Sequence, residues 1–177
     1  MGAFYNLFVP KQATGASLVY FDFFNATGSA FDVKVHWCAP IVSGAVAVVG
    51  VVGVDLFLTR TTAVGTGGTA ATYEGTDPTA CTFSAQDNSQ PMSKSITARL
   101  TPTGGATAGA VLDFASVFTE ETNSATYTPA ANMARCPGLP EIPAIIVPQG
   151  TGLRVVQGSV ASVGNIGFQI VFECINK

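Results

Sequence analysis

Residues 166–174 have the sequence Ile-Gly-Phe-Gln-Ile-Val-Phe-Glu-Cys, with an apolar side chain at every second position. Successive side chains of a β-strand point to opposite faces, so this period of two predicts a strand with one buried face. Residues 31–37, Phe-Asp-Val-Lys-Val-His-Trp, alternate in the same way. That pattern predicts a half-buried strand in which Trp37 fills the core and His36 lies on the polar face with Lys34.

Similar apolar stretches, separated by turns, continue along most of the chain. Gly, Pro and Thr recur too often for a long helix, although one helical turn could form at Ala130–Arg135. The turn at Gly65–Gly68 predicts a hairpin between the long apolar stretch before it and Thr69–Tyr73. The predicted strands are Phe4–Val9, Ser17–Asn25, Phe31–Trp37, Val46–Arg60, Thr69–Tyr73, Lys94–Thr101, Ala110–Thr119, Ile142–Val147, Leu153–Gln157 and Ile166–Cys174.

The strand count and spacing predict the fold class. Eight to ten short strands at even spacing indicate an all-β protein with an antiparallel β-sandwich, and eight strands in two sheets form a single jelly roll. We find no repeat and no linker, so residues 1–177 are predicted to form one domain, with residues 1–16 as a candidate N-terminal arm.

The composition limits the function classes. Charged residues make up 11% of the chain, hydrophobic residues make up 47%, and the net charge is −3. This balance excludes a disordered chain and gives no electrostatic basis for binding nucleic acid. An ordinary domain carries about 25% charged residues, so the low charge favours surfaces buried against other subunits. A neutral, Thr-rich extracellular β domain would have a similar composition.

Few residues of the chain are candidates for catalysis. His36 is the only histidine, no Gly-x-Ser-x-Gly sequence occurs, and Glu120 and Glu121 would point to opposite faces of a strand. We therefore predict a protein that is not an enzyme, with no catalytic residue, metal site or cofactor. The uncharged stretch 38–54 contains Pro40 and three glycines, which favours a strand over a membrane helix. We therefore predict no contact with a membrane.

Cysteine spacing matches no metal motif, because the four cysteines contain no Cys-x-x-Cys pair. Two disulfides are compatible with an even number of cysteines. The first residues lack the basic segment of a secretion signal, so buried free thiols are favoured instead. The cysteines are Cys38, Cys81, Cys136 and Cys174.

Two apolar segments are candidate interfaces. Residues 4–10 carry an apolar side chain at nearly every position and could add as a strand to the sheet of a neighbouring subunit. Residues 120–140 are apolar and stiffened by prolines. The alternatives are an ordinary first strand and a loop folded over its own sheet edge. The candidate interface residues are Phe4, Tyr5, Leu7, Phe8, Met133, Pro137 and Leu139.

Two stretches of the chain carry a family resemblance. The first is LFLTRTTAVGTGGTAAT at residues 56–72, followed by Asp77-Pro78. The second is IVPQGTGLRVVQG at residues 146–158, followed by GNIGFQIVFE at residues 164–173. The second stretch resembles a strand, a tight Pro-x-Gly-x-Gly-Leu turn, a strand and a closing strand. Together the two stretches resemble small jelly-roll structural proteins in the virions of tailed bacteriophages, including head decoration or cement proteins.

The resemblance implies a non-enzymatic capsid decoration or cement protein. Such a protein is made in the host cytoplasm, resides in the virion, and adheres to copies of itself and to the major capsid protein or other virion proteins. The four cysteines are not expected of this class. The alternative function is a receptor-binding or glycan-binding β-sandwich of a phage tail or spike, for which the Thr- and Asn-rich loops and the tyrosines would supply contacts.

Overall fold

A computed structural model describes residues 3–43, 51–105, 108–120 and 144–176 of the chain. These residues form twelve strands, and no helix occurs among them. The strands are β1 (Ala3–Ala13), β2 (Val19–Asn25), β3 (Phe31–Ser43), β4 (Val51–Thr61), β5 (Thr69–Ala70), β6 (Thr72–Tyr73), β7 (Thr82–Ala85), β8 (Ile96–Leu100), β9 (Ala108–Glu120), β10 (Ile145–Val147), β11 (Thr151–Gln157) and β12 (Asn165–Asn176).

The strands form two six-stranded sheets that pack face to face. Sheet A has the order β10-β3-β12-β1-β7-β6, and sheet B has the order β5-β8-β2-β11-β4-β9. All described pairs are antiparallel except β6 with β7. The predicted antiparallel β-sandwich is therefore confirmed.

Apolar side chains from both sheets fill the space between them, as period-two strands require. Phe168 of sheet A contacts Tyr20 and Phe21 of sheet B, with ring centroids 5.3 and 5.4 Å apart. Phe172 contacts Phe23 at 5.2 Å. The alternating stretch 166–174 thus places its apolar residues in the core, as predicted.

Four short strands, β5 to β8, form an insertion between β4 and β9. A bridge between Thr66 and Gly104 joins the two ends of the insertion. From there the insertion extends both sheets, because β8 pairs with β2 and β7 pairs with β1. The predicted hairpin at Gly65–Gly68 is wrong: β4 pairs with β11 and β9, and Thr69–Ala70 pairs with β8.

A β-bulge in β3 corrects the predicted position of Trp37. Val171 of β12 pairs with Trp37, but the next residue, Phe172, pairs with Val35, so β3 has one extra residue at this point. An extra residue reverses the alternation of faces. Trp37 therefore lies outside the core, and Cys38 is buried in its place.

The first strand corrects the candidate N-terminal arm. Residues 3–13 form a strand of the protein's own sheet A, between β12 and β7. The strand also continues past Pro10, which the sequence predicted to end it. A register shift between Val9 and Gln12 accommodates the proline there, since a bulge tolerates a residue without an amide hydrogen.

The tight turn predicted at Pro148–Gly152 is present between β10 and β11. Gly150 has a φ of 73°, and the amide of Thr151 donates a hydrogen bond of 3.2 Å to the carbonyl of Pro148. A left-handed conformation of this kind favours glycine. The predicted helical turn at Ala130–Arg135 lies outside the described residues, as does most of the predicted loop 120–140. No helix within the described ranges is long and apolar enough to cross a membrane.

Candidate functional site

The structure separates the predicted interface residues of β1 between two faces. Tyr5 and Leu7 are buried in the core, so they are not available to a partner, and this part of the prediction is corrected. Phe4 and Phe8 lie on the opposite side of the strand, where Phe4 is 39% exposed. Both faces of β1 are apolar, so the sequence could not show which residues were buried. The remaining predicted residues, Met133, Pro137 and Leu139, lie outside the described residues.

Phe4 belongs to a compact contact group on the outer side of sheet A. The register of the sheet places Phe4 opposite Glu173, and Glu173 opposite Lys34. The ring centroids of Phe4 and His36 are 5.4 Å apart. His36 Nε2 lies 3.2 Å from Glu173 Oε2, with both side chains about four-fifths buried. His36 lies on the same side of sheet A as Lys34, as the alternation of residues 31–37 predicts, beside an aromatic ring and a carboxylate.

Apolar side chains surround this group. Trp37 and Val171 are register partners and both are partly exposed. Ile146 of β10 lies opposite Lys34 and is 39% exposed. A sheet that faces water on one side ordinarily carries polar residues there. We define the outer face of sheet A as the surface formed by Phe4, Phe8, His36, Trp37, Ile146, Val171 and Glu173.

Apolar side chains make up most of this surface. The described hydrogen-bonding partner of the His36 ring is the carboxylate of Glu173. Aromatic and aliphatic residues around one histidine–carboxylate hydrogen bond are the composition that interface cores favour. In the described ranges, no three His, Cys, Asp or Glu side chains lie close enough together to hold a metal ion.

A second polar cluster lies on the outer side of sheet B. Asp22 is 1% exposed and pairs in register with Arg99 on one side and Arg154 on the other. Its Oδ2 accepts a hydrogen bond from the amide of Gly65 at the start of the insertion. Burial raises the pKa of Asp22, against the opposing effects of the Gly65 amide and the two arginines. This carboxylate holds the insertion against the sheet.

The described tyrosines, which the sequence offered as glycan contacts, are engaged within the sandwich. Tyr5 and Tyr20 are buried, and Tyr20 donates a hydrogen bond of 2.7 Å to Gln157 Oε1. Tyr73 stacks on Phe83 at 5.3 Å and donates to the carbonyl of Ile96 at 2.6 Å. Tyr127 lies outside the described residues. A groove of about 390 Å³ between β1, β3, β12 and the loop before β8 is lined by Ala3, Tyr5, Phe31, Gln90, Pro91, Cys174, Ile175 and Asn176.

Three of the four cysteines are free, buried thiols, as the sequence predicted, and Cys136 lies outside the described residues. Burial raises the pKa of Cys38, Cys81 and Cys174 to about 12. A thiol that stays protonated is a poor nucleophile and a poor metal ligand. These side chains act as small apolar groups of the core.

Sequence reasoning missed His36, Trp37, Ile146, Val171 and Glu173 as members of this surface. One signal for such a residue was available in the sequence. It is an apolar side chain at a position of an alternating strand that faces away from the core, as at Val171. For Trp37 no such signal existed, because the bulge depends on pairing with β12, which is distant in the sequence. Comparison of the chain with protein-family models, with curated proteins and with solved structures finds no match.

Proposed function

We propose that this protein is a non-enzymatic structural component of a phage virion, and that it decorates and stabilises the capsid by adhesion. The observation that carries the proposal is the outer face of sheet A, where Phe4, Trp37 and Ile146 occupy positions that a fully solvated sandwich would give to polar residues. In this proposal, the outer face of sheet A binds the major capsid protein or another virion protein.

The strand order supports a jelly roll, the fold of the proteins that the sequence resembles. Eight strands remain when the insertion is set aside. One sheet then has the order β1-β12-β3-β10 and the other has the order β2-β11-β4-β9. The chain alternates between the sheets except from β4 to β9, which are neighbours. Eight strands in two sheets with these crossings form two Greek keys, and we infer a jelly roll from them.

The low charge of the chain also supports assembly. The chain has 8 Lys and Arg residues and 11 Asp and Glu residues, so only 19 of its 177 residues are charged. Interface cores are depleted in charge, and a contact of about 1,600 Å² per copy suffices for specific association. Repetition of such a contact around a capsid would stabilise the whole shell.

The alternative, a glycan-binding module, has less support. It requires exposed aromatic side chains in the loops, whereas Tyr5, Tyr20 and Tyr73 are engaged within the sandwich. A glycan array with purified protein tests this alternative. Binding that is lost on substituting Phe31 or Asn176, which line the groove, would favour it over the structural role.

Co-sedimentation with capsids tests the proposal. The probe is an empty capsid assembled from the major capsid protein of the phage that encodes this chain. We expect the wild-type protein to sediment with the capsids, and the variants Phe4→Lys and Ile146→Ser to bind about tenfold more weakly or worse. Both side chains are exposed, so the variants should fold, which circular dichroism can verify.

Val160→Lys is the matched control, because Val160 is 67% exposed and lies in the loop between β11 and β12, outside the outer face of sheet A. This variant should bind as the wild type does. A wild-type protein that stays in the supernatant would contradict the proposal. Equal binding by Phe4→Lys, Ile146→Ser and the wild type would exclude the outer face of sheet A as the contact.

A further inference from the structure

The four edges of the two sheets differ sharply in length. Sheet A ends in β6, with two residues, and in β10, with three. Sheet B ends in β5, with two residues, and in β9, with thirteen. Short strands are a common protection against edge-to-edge association. The strand β9 lacks this protection, and no described strand pairs with it on the side away from β4.

The backbone of β9 presents hydrogen-bonding groups at this open edge. The carbonyl of Asp55 in β4 accepts from the amide of Gly158 on the β11 side. The backbone N–H and C=O groups of successive strand residues point in opposite directions, so those of Leu56 point toward β9. The partner of Leu56 in β9 is Ala115. The backbone groups of Phe114 and Ser116 therefore point outward, away from β4.

The side chains of residues 108–117 do not block this edge. Between 108 and 117 the strand has neither lysine nor proline, and Asp113 is the only charged residue. Val111 is 59% exposed and Phe114 is 52% exposed. On the outer side of sheet B, Phe114 packs against Phe57 with ring centroids 5.3 Å apart, and Phe57 lies opposite Val156. An apolar strip thus reaches the edge.

We propose that β9 is a self-association edge, at which two copies of this chain pair their β9 strands in antiparallel orientation about a two-fold axis. The two B sheets would then form one continuous sheet. The inference rests on the proposed structural role and names the partner as a second copy. A two-fold interface requires a self-complementary surface, and a strand edge with free backbone groups is self-complementary in antiparallel pairing.

Local contacts favour a register with the axis at Ser116. The amide of Phe114 already donates a 2.8 Å hydrogen bond to Oδ1 of Asp113, whereas the outward backbone groups of Ser116 have no described partner. With this axis, the two Asp113 residues are six residues apart along the paired strands. That separation is about 20 Å, beyond the range of repulsion in physiological salt. Repulsion between the two Asp113 side chains therefore does not oppose the pairing.

Analytical ultracentrifugation of the purified full-length chain tests this inference. We expect a reversible dimer of about twice the 18.1 kDa chain mass. Ser116→Lys removes the 2.6 Å hydrogen bond from the Ser116 hydroxyl to Oδ1 of Asp55 and places two bulky lysine side chains at the axis, so it should weaken the dimer about tenfold or more. Ser116 is exposed, and lysine is well tolerated at a sheet edge, so the monomer should fold. Val160→Lys, which adds the same charge away from β9, should dimerise as the wild type does.

Two further measurements identify the contact. Hydrogen exchange at the Ser116 amide should slow as protein concentration rises, because dimerisation provides its acceptor. The fluorescence of Trp37, the only tryptophan, should be quenched by acrylamide equally in monomer and dimer, because Trp37 lies on the outer face of sheet A.

Several outcomes would overturn the inference. A wild-type monomer, or a Ser116→Lys dimer as tight as the wild type, contradicts it. Protection of the Ser116 amide that is independent of concentration would mean that another part of the same chain occupies the edge. If acrylamide no longer quenches Trp37 in the dimer, the dimer contact lies on the outer face of sheet A. Capsid binding is measured separately with Phe4→Lys, so either proposal can fail while the other stands.

Discussion

The amide of Gly65 donates a hydrogen bond of 2.5 Å to Oδ2 of Asp22, joining the insertion to the outer side of sheet B. The approach is so close that a Cβ atom on Gly65 would lie 2.9 Å from both Oδ2 of Asp22 and Cβ of Pro102. The insertion thereby covers a carboxylate that would otherwise face solvent, and Oδ1 of Asp22 is buried with no hydrogen-bond partner in the described structure.

This burial predicts a characteristic pH dependence of stability. Burial raises the pKa of Asp22 above its ordinary value of 3.8, so the folded state binds the proton more tightly than the unfolded state. The free energy of unfolding should therefore decrease as pH rises from about 4 through the raised pKa, by at most about 1.4 kcal/mol per pH unit from this group.

Urea unfolding between pH 4 and pH 7 measures this effect. The variant Asp22→Asn keeps an oxygen for the Gly65 amide but cannot ionise, so its stability should decrease less over this range than that of the wild type. Other groups titrate in both proteins, so the difference between the two curves is the test. Parallel curves would show that Asp22 has the same pKa in the folded and unfolded states.

The β3 bulge predicts that two large aromatic residues contribute unequally to stability. Phe172 is fully buried among Tyr5, Phe23 and Phe83, so Phe172→Ala should lower the free energy of unfolding by about 3–5 kcal/mol. Trp37 lies outside the core, so Trp37→Ala should cost less than about 1.5 kcal/mol. Urea unfolding of both variants at one pH gives the comparison. Equal costs would place Trp37 in the core and contradict the bulge.

The buried thiols predict slow alkylation of the native protein. Cys38, Cys81 and Cys174 are buried and their pKa values are raised to about 12, so at pH 8 very little reactive thiolate forms. Iodoacetamide should modify these three residues only after unfolding, and peptide mass spectrometry identifies the modified sites. Rapid labelling of any of the three in native buffer would contradict its burial.

Much of the sandwich could be predicted from the sequence, because most strands have one apolar face. The alternation at 166–174 correctly identified the buried side of β12. Two features depended on pairing between distant segments. The bulge at Trp37 is set by the register with β12, and the positions of β5 to β8 are set by contacts with β1 and β2. The periodicity of side chains within one strand indicates neither the bulge nor the positions of β5 to β8.

The candidate site was only half predictable for a related reason. Phe4, Tyr5 and Leu7 were predicted to share one interface, but Phe4 is exposed whereas Tyr5 and Leu7 are buried. An amphipathic strand shows its buried face by alternation, and β1 is apolar on both faces. Ile146 could not have been found, since its strand has three residues and gives no period.

The bridge between Thr66 and Gly104 has an evolutionary consequence. Because the insertion departs and returns at one narrow neck, its length and composition can diverge while the eight remaining strands keep their connections. The freedom to change is limited to the residues of the insertion outside the core, because Phe83 packs against Phe23 and Phe172. The neck also marks where a foreign peptide could be grafted for display.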